Sequence, residues 1–254
     1  MKTKNILLLT ATITPKTGVP NLKRTDPALR LKDYENAFKF YLSLINQCCD
    51  AIVFAENSNS DISSLEKLAK DQNLADQVEF IAFDGLDYPP QYDRAYGEFK
   101  LIDYAMENSK IIASQPEETI VWKVTGRYVI RNLNKIINHQ PRSFGIYCNF
   151  RNHPKHWVDT FLIAWKSNVY QACLKNVYEK LKLNAPDTPP NGGAEELLRN
   201  WFDQQSNIKF VRRFKFTPLI DGFRAADNRG YATNDLWKFR VRSSINTLLP
   251  WLWI

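Results

Sequence analysis

The sequence predicts an α/β fold, one mainly parallel sheet with helices on both faces. Short, mainly apolar runs recur at residues 4–12, 51–55, 78–83 and 119–124, as expected of parallel strands covered on both faces. Between them lie segments whose apolar residues repeat at helical spacing, so strand and helix alternate through the first half. With 254 residues, 44% of them hydrophobic, the chain is long enough for one large domain with a full core.

Each element follows from its local pattern. After the first strand comes a loop rich in Thr, Pro and Gly, residues 13–27. Leu31, Tyr34, Ala37, Phe38, Tyr41, Leu42 and Ile45 then fall on one helical face. Asp61 is placed to cap a second helix with Leu65, Leu68 and Ala69 inward. A third helix is expected over residues 96–107. The second half reads as strands at 144–150 and 157–164, a helix over 167–182, a proline-bearing loop at 184–193 with Pro186, Pro189 and Pro190, a helix over 194–205 and a strand over 208–216. The expected organisation is a single domain over 1–254. Within it, 1–135 forms a nucleotide-binding half, 136–235 an acceptor and catalytic half, and 236–254 a basic, aromatic tail.

The net charge is +7, and from residue 199 onward basic residues outnumber acidic ones by ten to four. Such a field attracts phosphate in some form. No helix-turn-helix, RNP or zinc pattern accompanies it, so nucleic acid is not the expected partner. Cys48, Cys49, Cys148 and Cys173 show no C-x-x-C pairing and read as reduced thiols, which suggests a cytoplasmic chain. His139, His153 and His156 lack a metal-ligand spacing. No apolar run reaches the length of a membrane span.

In open α/β sheets ligands sit beyond the carboxyl ends of the strands, so the chemistry is sought there. After the first strand come Thr12 and then Arg24 and Arg30. Forked guanidinium donors suit a diphosphate, while the same loop also reads as a helix entry with Asp26 capping and Pro27 following. After the second strand come Glu56, Asn57 and Ser58, where a carboxylate can accept from a ribose hydroxyl or a base N–H. After the fourth come Lys123, Thr125, Gly126 and Arg127, two cations able to neutralise a leaving diphosphate. Gly97, near a helix start, leaves room for a sugar or phosphate. Beside it Glu98 reads equally as a helix cap or a site residue. Asp159 can bind a sugar hydroxyl, with Trp157 as a stacking ring or a core residue. Glu195 and Glu196 open a helix after a flexible loop, where a carboxylate can take the proton of an attacking hydroxyl or simply answer the helix dipole.

Four segments taken in order, Arg24 to Tyr34, Glu56 to Asp61, Tyr96 to Ala105 and Lys123 to Tyr128, resemble a family of bacterial polysaccharide glycosyltransferases with a GT-A-type fold. Here K-x-T-G-R-Y stands where D-x-D usually holds a metal. The resemblance implies sugar transfer from a nucleotide-sugar donor to a cell-surface glycan or lipid-linked acceptor, as in O-antigen assembly, without a cofactor and with a divalent metal not expected. Asp84 and Asp87 spell D-x-x-D but follow the third strand and are not assigned to a metal. In the tail, Trp237, Lys238, Phe239, Arg240 and Arg242 precede Leu248, Leu249, Trp251, Leu252 and Trp253, a mixture suited to peripheral attachment at the inner membrane face or to packing on the domain. Two other functions compete: a nucleotidyltransferase acting on sugar phosphates, which should carry a Gly-rich first loop, and a non-enzymatic nucleic-acid-binding protein.

Overall fold

The first strand, β1 (Asn5–Ala11), is buried along its whole length and forms the middle of the sheet. Its side chains alternate. Leu7, Leu9 and Ala11 enter one core cluster, and Ile6 and Leu8 enter the other. The computed structural model describes residues 3–153, 155–184, 192–231, 236–249 and 252–253. The elements in chain order are β1, α1 (Pro27–Leu42), β2 (Ala51–Glu56), α2 (Ser63–Asp71), β3 (Val78–Ala82), α3 (Asp93–Asn108), α4 (Lys110–Ala113), β4 (Ile120–Thr125), β5 (Val129–Ile130) and α5 (Leu133–Asn138). There follow β6 (Ile146–Arg151), β7 (Trp157–Lys166), α6 (Ser167–Cys173), α7 (Ala194–Asp203), β8 (Phe210–Val211), β9 (Ile220–Asp221) and α8 (Leu236–Leu248).

The seven-stranded sheet has the order β3-β2-β1-β4-β7-β6-β8. β3, β2, β1 and β4 are parallel, and β7 alone runs against the rest. The order reverses beside β1, because β2 lies on one side of it and β4 on the other. That junction is where an open sheet leaves a crevice at its carboxyl edge. α1, α2 and α5 cover one face, and α3, α6 and α7 cover the other. A two-stranded ribbon of β5 and β9 brings the chain near residue 220 back to the segment that follows β4.

The expected α/β sheet and its helical faces are present, with several boundaries corrected. Asp26 caps α1 by accepting from Leu29 N at 3.0 Å, and Pro27 occupies the first turn, where a missing N–H costs nothing. The arginines of that loop are not solvated: Arg24 and Arg30 are buried. Asp61 accepts from Ser63 N, but the capping position belongs to Ile62, which makes no side-chain cap. The helix expected over 167–182 stops at Cys173. Asn176 adopts a left-handed conformation (φ 59°), and a short 3-10 turn follows. Of the strand expected over 208–216 only Phe210 and Val211 pair, beside β6. Pro186, Pro189, Pro190, Trp251 and the side chain of Lys238 lie outside the described residues. The four cysteines are free and buried, and no helix of the described residues is long and apolar enough to cross a membrane.

Gly126 closes the junction between β1 and β4. A Cβ built there would lie 2.9 Å from Thr10 O, a backbone atom that cannot rotate away. Gly126→Ala is therefore expected to destabilise the chain by about 1–3 kcal/mol through overpacking. The melting temperature should fall by roughly 2–4 °C per kcal/mol in a domain of this size. An unchanged melting curve would refute the close approach.

Candidate active site

A cleft of about 560 Å³ opens at the carboxyl edge of the sheet, at the β1–β4 junction. Its floor comes from the strand ends, with Thr10 and Thr12 from β1 and the loop after it, Thr125 from β4, and Arg127 and Tyr128 just beyond. One wall is the start of β7, with Asp159 and Thr160, and the first turn of α7, with Glu195 and Glu196. The opposite side is closed by Arg224, Ala225 and Tyr231 from the segment after β9.

Beneath this floor lies an ion pair. β4 is buried on both faces, and its alternation sends Trp122 and Val124 to one core and Lys123 toward α3 on the other. The Lys123 side chain is entirely buried, and its ammonium meets Glu98 of α3 at 2.7 Å. It also donates to Thr160 O at 2.6 Å and Thr125 Oγ1 at 3.1 Å. Glu98 in turn accepts from Thr10 Oγ1 at 2.6 Å and Thr125 Oγ1 at 2.9 Å. Burial works to raise the Glu98 carboxyl, but the charge and hydrogen bond of Lys123 and the two threonines outweigh it and hold it below the usual range. Burial likewise lowers Lys123, opposed by Glu98 and by the charge of Glu195. The expectation that Lys123 neutralises a ligand phosphate directly is thus corrected. A lysine amid a fully buried strand needs an internal partner, and Glu98, not Lys123, lines the cleft. Glu98 is no helix cap either, since α3 begins five residues earlier.

The other expected site residues divide in two. Thr12, Arg30, Thr125, Arg127, Asp159, Glu195 and Glu196 line the cleft together. Arg24, Glu56, Asn57, Ser58, Gly97, Lys123 and Gly126 lie behind its lining and hold the loops in place. Arg24 makes a forked pair with Asp33 at 2.5 and 2.8 Å and donates to Asn228 at 2.7 Å, while stacking over Phe223 at 4.6 Å. Arg30 donates to Thr12 O and Arg24 O, fixing the loop after β1. Glu56 is wholly buried and accepts from the backbone N–H groups of Ile13, Ser58 and Ser60, so its oxygens serve the turn after β2 and are not open to a ribose. Asn57 accepts from Thr12 Oγ1 at 2.6 Å, and Ser58 Oγ bonds Glu56. At Gly97 the group that approaches is protein: an added Cβ would fall 1.8 Å from the Tyr88 hydroxyl.

Asp159 is saturated. Arg151 holds both its oxygens, at 2.8 and 2.7 Å, Asn149 adds a bond at 2.8 Å, and Trp157 Nε1 adds another at 3.2 Å. Glu196 pairs with Lys155 at 3.1 Å. Glu195 has no ion-pair partner among the described residues. Although much of the residue is exposed, desolvation within the cleft raises its carboxyl above the ordinary range. Its own backbone N–H and Arg94 oppose the shift, and Asp93 and Asp159 add to it. Arg127 donates to Phe223 O and to the Tyr128 hydroxyl, over whose ring it lies at 4.3 Å. Among the described residues no group of three or more His, Cys, Asp or Glu stands where it could hold a metal ion. Sequence reasoning left Glu98 between a helix cap and a site residue and missed Arg151, Arg224 and Tyr231. For Glu98 a clue existed in the buried Lys123, which demands an acid. Tyr231 arrives through tertiary packing alone, standing edge-on to Tyr128 at 5.4 Å.

No protein family and no curated protein matches the sequence. Among solved structures the chain is similar to one described as a nucleotide-diphospho-sugar transferase from Desulfovibrio desulfuricans G20, at 10% identity over 98% of each chain with a TM-score of 0.46. It is also similar to the inositol-1-phosphate CTP transferase of T. maritima, at 11% identity over 95% of this chain and 96% of that one with a TM-score of 0.43. Identity this low assigns no role to any side chain here.

The buried pair makes a stability prediction. Lys123→Met leaves Glu98 without its cation and is expected to cost about 3–5 kcal/mol in urea unfolding. The double variant Lys123→Met/Glu98→Met should recover most of that loss. Equal losses in the single and double variants would show that the pair is not coupled.

Proposed function

We propose that the chain is a nucleotide-sugar-dependent glycosyltransferase whose donor lies in this cleft. The observation that carries the reading is that one cleft is lined both by Arg127, just past the carboxyl end of β4, and by Glu195, a carboxylate with no ion-pair partner among the described residues and a raised pKa. Residues beyond the strand ends at a sheet reversal suit a nucleotide, and a forked guanidinium suits its diphosphate. Within the same cleft, Glu195 takes the proton of an acceptor hydroxyl as that oxygen bonds the anomeric carbon. The bond from this carbon to the diphosphate oxygen breaks, and the nucleoside diphosphate departs with the electron pair, its added charge met by Arg127. Asp159 keeps Arg151 in place and is not free to act as base, since all of its strong acceptor directions are taken. The acceptor in this reading is a hydroxyl of a cell-surface glycan or of a lipid-linked acceptor.

Two measurements test it. A base raised above the ordinary carboxyl range is protonated, and inactive, at a pH where a free glutamate is already ionised. Turnover should therefore climb as pH rises through a limb above the usual glutamate value of about 4.3. Glu195→Gln should lower kcat by about 10²–10⁴-fold and abolish that limb while leaving donor affinity unchanged. Arg127→Ala should instead weaken nucleoside diphosphate binding about tenfold or more by calorimetry, a charge-assisted bond being worth about 1.5–3 kcal/mol. Pyrophosphate release from a nucleoside triphosphate and a sugar phosphate would establish the competing nucleotidyltransferase reaction and overturn this one.

A further inference from the structure

α8 is held to the domain along one face. Asn246 donates its amide to Phe214 O at 3.2 Å and to Thr217 Oγ1 at 3.4 Å. Beyond the helix the chain returns to the core. Arg213 donates to Leu252 O at 2.6 Å, Asn152 N donates to Trp253 O at 2.8 Å, and the Trp253 ring stands edge-on to Phe150. The opposite face therefore has a fixed direction. It presents Trp237, Arg240, Val241, Ser244 and Leu248, spaced as neighbours on one side of a helix. Trp237 is 63% exposed, Val241 46% and Leu248 73%. With Leu249, this short stretch holds four of the seven large apolar side chains exposed among the described residues. Residues 236–254 contain Lys238, Arg240 and Arg242 and no acid.

We propose that this face of α8 docks on an anionic phospholipid bilayer, with Val241 and Leu248 entering the acyl boundary and Arg240 meeting phosphate head groups. The charge argues for this occupant. Arg240 stands on this face and no acid lies on the helix, so an anionic surface complements it. A second copy on the same face would set Arg240 against its own equivalent, a like-charge contact with no acid on the helix to relieve it. α8 also contributes Arg242 to the lining of the cleft. Docking through α8 consequently brings the cleft to the bilayer surface. If the transferase reading holds, on which this last step rests, the acceptor is a glycan carried on a membrane lipid.

The full chain is pelleted with phosphatidylcholine vesicles, with and without phosphatidylglycerol. It is expected to pellet with the anionic vesicles only, and less so as salt is added. Val241→Asp/Leu248→Asp should lower the bound fraction about tenfold or more, because both apolar side chains that enter the acyl boundary are replaced by charge. Its melting temperature should not change, since both side chains are exposed. Arg240→Glu, which needs no apolar change, should weaken binding to the anionic vesicles as well. Equal pelleting with both vesicle types, or pelleting unchanged in both variants, overturns the proposal. So does a dimer in size-exclusion chromatography that Val241→Asp converts to monomer. Protection by a nucleoside diphosphate is measured on the same samples. Lost vesicle binding with intact protection refutes only the docking, and the reverse result refutes only the transferase reading.

Discussion

One buried ion pair holds the floor of the cleft together. Lys123 and Glu98 join β4 to α3, and their remaining bonds reach Thr10 of β1 and Thr160 of β7. Four elements therefore meet at one point beneath the reversal in strand order. A buried pair of this kind is weak evidence for net stability, because desolvating both charges offsets most of their attraction. Its value here is positional. Thr10 and Thr125 both donate to Glu98, and both line the cleft above it. A shift of either strand end would cost those bonds, so the floor is set within hydrogen-bonding tolerance.

The same economy governs the surrounding loops. Arg24, Arg30 and Glu56 read from the sequence as ligand groups, and each is occupied by the protein. Arg30 satisfies two carbonyls of the loop after β1, Arg24 ties that loop to α1 and to Asn228, and Glu56 gathers three backbone N–H groups after β2. They shape the cleft by fixing backbone that would otherwise be free. Arg127 is likewise held, by Phe223 O and the Tyr128 hydroxyl, and it lines the cleft together with Glu195, whose carboxyl is made more basic by its surroundings.

The parallel core was legible because buried strands and amphipathic helices carry different periods. The runs around Leu7, Val53 and Val121 are short, rich in Val, Ile and Leu, and alternate with helical segments, which is the pattern of buried parallel strands. The strand-end rule likewise pointed to Thr12, Thr125 and Arg127, and the helix opening after a flexible loop pointed to Glu195, before any contact was known. What stayed hidden depends on contacts distant in sequence. Glu98 lies 25 residues before Lys123, and no local pattern fixes their pairing. Arg224 and Tyr231 reach the cleft only because β9 pairs with β5. The helix over 167–182 was misread because a left-handed asparagine at position 176 interrupts it while leaving the apolar periodicity intact.

The central claim is that the crevice between β1 and β4 receives the diphosphate of a nucleotide. A crystal soaked with a nucleoside diphosphate tests it most directly. The account places phosphate oxygens at hydrogen-bonding distance, about 3 Å, from the Arg127 guanidinium, with the nucleoside along the loop after β1. Phosphates bound away from Arg127, or a nucleotide lodged outside this crevice, would contradict it.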